Sequence, residues 1–119
     1  MAEFIYWAMV ACFFTHELDA VRRHEWRMLP VVRQFSDKIA ERIFVWFHAP
    51  LFLAILWFSE EGASTPFTLG LSLFAVLHVG LHWIFRKHPD NEFQGFGSWA
   101  LIVLTGFFGA LYVMVQLYR

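Results

Sequence analysis

The segment His78-Val-Gly-Leu-His82 sets two imidazoles four residues apart, and His16-Glu-Leu-Asp19 sets an imidazole and a carboxylate three apart. On a helix, each spacing brings both side chains to one face. His48 adds a fourth imidazole from another apolar run. Four imidazoles and a carboxylate suit Zn²⁺, Fe²⁺ or Mn²⁺, with Zn or Fe favoured. Helical bundles build metal sites in this way, from i,i+3 or i,i+4 pairs on facing helices. The candidate ligands are therefore His16, Asp19, His48, His78 and His82. Glu17 adjoins His16 but projects about 100° away around the helix, which makes it the candidate general base. Such a site would serve a metal-dependent hydrolase or oxidase, activating water, or dioxygen if the metal is iron. A haem held by His48 with His78, or by His16 with His82, is the alternative cofactor.

The elements that carry these residues are apolar. In 119 residues, 59% are hydrophobic, 20% aromatic and 16% charged. An average domain has about 25% charged residues, so this chain has too little polar surface for a soluble protein of its size. A net charge of −1 offers no basic field for a nucleic acid, and one cysteine excludes an internal disulfide. Phe4–Phe14, Ile43–Phe58, Pro66–Phe85 and Phe93–Tyr118 carry no formal charge. A membrane span needs about 20 residues, so four transmembrane helices are expected near 3–21, 41–59, 65–86 and 96–118. They form a single all-α domain over 1–119, a polytopic four-helix bundle in the lipid bilayer. The Met-Ala-Glu start has no positive charge, so the first helix is expected to be retained rather than cleaved as a signal peptide.

Eight of the nine Lys and Arg residues fall in two loops. Arg22, Arg23, Arg27, Arg33, Lys38 and Arg42 follow the first helix, and Arg86 and Lys87 follow the third. The loop around Ser59–Thr65 carries Glu60 and Glu61 instead. The positive-inside rule then makes 22–40 a cytoplasmic loop and puts both termini on the non-cytoplasmic side of the plasma (inner) membrane. With that topology, His16, Asp19, His48, His78 and His82 all lie within about 5–12 Å of the inner helix ends. Three helices thus deliver polar groups to one layer, at a depth that suits a lipid or another membrane-dissolved substrate.

Several secondary expectations follow. His24 and His88 belong to exposed loops, although Glu25-Trp26 can fold back beneath the site. Val31, Val32, Phe35, Ile39 and Ile43 recur near helical spacing and fit an interfacial helix after Pro30, or else a solvated cytoplasmic turn with a continuation of the second helix. Pro50 reads as a tolerated proline near the start of the second helix, with a disturbance beside His48 as the alternative. Gly106, Gly109 and Ala110 make the fourth helix a packing helix. The small size also fits a homo-oligomer, or an accessory subunit of a larger membrane complex whose histidines form a polar network.

The order His16-Glu17-Leu18-Asp19, then His48, then His78–His82 resembles the HXXEE-type small bacterial membrane proteins. Asp19 and Ala20 stand where that motif has two glutamates, and Phe44 stands where it has an asparagine. The resemblance covers the first three helices. It implies a polyhelical membrane protein with a polar histidine site, and supplies no reaction.

Overall fold

A computed structural model describes residues 1–60 and 65–118; Glu61 and Arg119 lie outside them. Four helices account for most of the chain: α1 (Ala2–Arg22), α2 (Asp37–Ser59), α3 (Pro66–Phe85) and α4 (Phe96–Leu117). A single 3-10 turn, Glu25–Arg27, lies between α1 and α2. There is no strand among the described residues. Each helix has 20–23 residues and is long and apolar enough to cross a membrane; at 1.5 Å per residue, 20 residues span about 30 Å.

Local chemistry sets the ends. Pro66 opens α3, where its missing N–H is not needed. The Thr68 N–H donates to Thr65 Oγ1 at 3.3 Å, and the Thr65 N–H donates to Thr68 Oγ1 at 3.1 Å, closing a capping box. α2 continues through Pro50.

α4 packs along both α1 and α3, and small residues set its distance from α3. A Cβ on Gly109 would lie 2.7 Å from the Ser72 carbonyl oxygen, and one on Gly106 would lie 2.3 Å from Val79 Cγ2. α1 is the most enclosed helix. Tyr6, Met9, Phe13, Ile55, Ala75 and Tyr112 form a core towards the chain termini, and Ala20, Trp26, Phe44, Phe93 and Ile102 form another at the opposite end. Outward faces stay apolar, with Leu77 67% and Leu53 64% exposed. In water such surface would be a liability; in lipid it is the normal outer face of a bundle. Met1 and Ala2 adjoin Met114 and Tyr118, so both chain ends meet at one end of the bundle.

The loops at the other end are tied together. His24 takes a left-handed conformation, φ 53°, and reverses the chain after α1. Its Nδ1 donates to Glu92 Oε2 at 2.5 Å, joining the α1–α2 and α3–α4 loops. Asp37, in the first turn of α2, accepts from Trp26 Nε1 at 3.0 Å and from Arg27 Nε and Nη2 at 2.8 and 2.9 Å. The expected interfacial helix is absent. Residues 30–35 form turns, and helical structure begins only at Asp37. The link from Asp37 back to Trp26 and Arg27 draws both ends of this segment together, and a straight helix would hold them apart. The same link buries Trp26 against Phe44, at 5.8 Å between ring centroids.

Candidate metal centre

α1 and α3 meet through side chains. His16 projects from α1 towards α3, where the four-residue spacing of His78 and His82 presents two imidazoles to it. The His16 and His78 Nε2 atoms are 3.0 Å apart, His78 and His82 3.1 Å, and His16 and His82 3.2 Å. All three residues are buried, His16 completely. Phe93 lies under the cluster, its centroid 4.8 Å from the His82 ring and 5.7 Å from the His16 ring. Phe13 and Phe74 flank His78.

This triangle cannot be a closed set of hydrogen bonds. In a neutral imidazole each ring nitrogen is either a donor or an acceptor. Three nitrogens with two roles leave at least one pair alike, so two lone pairs or two N–H groups must face each other. A cation that accepts all three lone pairs removes the conflict. Zn–N bonds of about 2.0–2.1 Å in tetrahedral geometry separate ligand nitrogens by about 3.3–3.4 Å. The observed triangle is within a few tenths of an ångström of that, so these residues fit a divalent metal. With Nε2 as ligand the proton sits on Nδ1. The Nδ1 atoms of His16 and His78 are buried with no hydrogen-bond partner among the described residues. The His16 and His82 Nε2 atoms, 3.2 Å apart, leave no room for a haem between them.

His48 and Asp19 lie outside the triangle. The His48 Nδ1–H donates to the Phe44 carbonyl at 2.6 Å, so Nε2 faces Glu17 Oε2 at 2.7 Å. Neither of these atoms can otherwise supply a hydrogen, so a proton must lie between them. The pair is buried and holds a proton next in sequence to His16. Asp19 turns to α4 and the loop: Ser98 Oγ donates to its Oδ2 at 2.5 Å, while Arg22 Nη2 and Arg23 Nε stand 2.9 and 3.6 Å from its Oδ1. It anchors α1 to α4.

Glu25 is the member that helical spacing does not reveal. The 3-10 turn carries it back under the bundle, where it lines a cavity with His78 and His82. Its Oε2 is buried without a hydrogen-bond partner among the described residues. Burial, and then the Glu17 carboxylate, push Glu25 up to about 8, against a smaller opposing effect of His48. His24 and His88, expected in exposed loops, are each partly buried, and His24 carries the bond to Glu92.

Taken together, four apolar helices around a buried nest of three imidazoles define a polytopic membrane protein with a candidate metal centre. The chain belongs to the Family of unknown function (DUF6713), whose model matches residues 2–119. No curated protein and no solved structure matches it.

Proposed function

We propose that the chain is a membrane-embedded metalloenzyme in which His16, His78 and His82 hold one divalent cation, Zn or Fe, near the membrane face that carries the basic loops. The observation that carries this reading is the Nε2 triangle, with separations of 3.0–3.2 Å that no assignment of imidazole protons can satisfy. The metal would supply Lewis acidity to a water or to a substrate oxygen. Glu17, hydrogen-bonded to His48 beside the cluster, serves as the candidate general base. Asp19, engaged by Ser98, Arg22 and Arg23, stands outside the proposed ligand set. The resemblance to HXXEE-type proteins rests on His16, His48, His78 and His82 and agrees with a polar histidine site. By the positive-inside rule the basic loops are cytoplasmic, which puts the centre at the inner face of the plasma membrane and suits a membrane-dissolved substrate.

Elemental analysis of the detergent-purified chain tests this directly. About one equivalent of Zn or Fe per chain is expected, falling to background in His78→Ala. Background metal in the wild type, after loading with either ion, would end the metalloenzyme reading in favour of a metal-free polar network.

A further inference from the structure

The cavity beside the histidines has a composition that selects its occupant. It has a volume of about 270 Å³ and runs between the Met28–Pro30 segment and α3. Glu25, His78 and His82 are its polar lining residues, but its wall is almost wholly apolar. Among the described residues, neither Lys nor Arg lines it. Leu29 and Phe74 also border a second cavity, of about 570 Å³, between α2 and α3. That space is lined by Phe47, Leu51, Ile55 and Leu71, with Glu17 and His48 at its edge. Leu71 lies about 10 Å along α3 from His78. The two spaces share Leu29 and Phe74 in their walls, with Glu25 lining the first and mostly apolar residues lining the second.

We infer that this paired cavity binds a single-chain amphiphile with an uncharged, oxygen-bearing head, such as a long-chain alcohol, aldehyde or ester. The head hydrogen-bonds to the Glu25 carboxyl beside His78 and His82, and the chain passes Leu29 and Phe74 to lie against α2. Three observations converge on this occupant. Glu25 lines the cavity, and its buried Oε2 lacks a partner among the described residues, so a side-chain rotation that opens this oxygen to the cavity would gain a ligand hydrogen bond. An anionic head would meet a carboxyl and no protein cation, and a buried unpaired charge is strongly disfavoured. The second space is mostly apolar and opens between helices whose outer faces are apolar, so an alkyl chain can enter from lipid. This inference rests on the proposed function only for the identity of the reacting centre; binding itself can be measured without it.

The test uses the full chain in lipid nanodiscs and a hexadecanol analogue with a diazirine in its chain. Photolabelled peptides should cover 28–31, 43–55 and 71–82, and excess hexadecanol should remove the label. Hexadecanol should compete about tenfold better than hexadecyl phosphate. Glu25→Leu should weaken competition about fivefold, while Glu25→Gln, which keeps a donor, should stay within about twofold of wild type. Leu29→Trp should enlarge the shared wall and abolish labelling of 43–55 with metal content unchanged. Labelling spread over outer faces such as Val103 and Phe107, insensitive to competitor, overturns the inference, as does equal competition by the phosphate. The specific labelling pattern in a chain that binds no metal upholds the cavity and sinks only the metal centre.

Discussion

Replacing His16 by leucine separates a metal site from an ordinary polar core by the sign of its effect. His16 is fully buried, its Nδ1 has no partner among the described residues, and its Nε2 faces two other imidazole nitrogens. A buried unsatisfied polar atom costs about 1–3 kcal/mol. Leucine has a similar volume and removes that cost, with about 1 kcal/mol lost to imperfect packing. The metal-free variant should therefore be at least as stable as the metal-free wild type, by about 0–2 kcal/mol. Metal reverses the order. At a free concentration of about 100 times its dissociation constant, a ligand that binds only the folded chain adds about 2.7 kcal/mol, and only the wild type gains it. Denaturant titration in micelles, followed by far-UV circular dichroism with chelator and then with Zn²⁺, should show the two curves exchanging places. A wild type more stable than His16→Leu in chelator, with no response to metal in either, would mean that the three imidazoles form a satisfied network, and the conflict inferred from their geometry would be refuted.

Other perturbations probe the supports of the site. Phe93→Ala should cost about 3–5 kcal/mol, because the ring is 1% exposed beneath His16 and His82; it should also lower metal retention on dialysis, and unchanged retention would free Phe93 from any role at the centre. Gly109→Ala puts a methyl 2.7 Å from the Ser72 carbonyl oxygen and 3.1 Å from Ala75 Cβ, so about 1–3 kcal/mol of overpacking is expected in a denaturation curve. The raised Glu25 value gives a signed pH effect. Its contribution is fully present below the ordinary value of 4.5 and is lost as pH rises through about 8. Stability of the wild type relative to Glu25→Gln should fall across that window, and parallel curves would place Glu25 in water rather than in the cavity.

Much of the architecture was legible because lipid imposes a simple rule: charge-free runs of about 20 residues become helices. The four-residue spacing of His78 and His82 likewise requires a shared face on any helix. What spacing could not show is which neighbour each face of α1 meets. His16 and Asp19 are three apart and looked like one donor set. His16 meets α3, while Asp19 is drawn away by Ser98 of α4 and by Arg22 and Arg23. Glu17, on another face, meets His48 of α2. Such choices depend on helix order around the bundle, to which hydropathy is blind. Glu25 had no periodic signal at all. Its place follows from the reversal at His24 and from the Asp37 clamp on Trp26 and Arg27, which are long-range bonds made by loop residues.

The most direct measurement of the central claim is X-ray absorption at the metal edge of the purified chain, with metal content determined on the same sample. One metal per chain is predicted, with imidazole scattering from three nitrogens at about 2.0–2.1 Å that drops by one ligand in His82→Ala. A spectrum without imidazole scattering, or one unchanged in that variant, would contradict the assignment of His16, His78 and His82 as the metal's ligands.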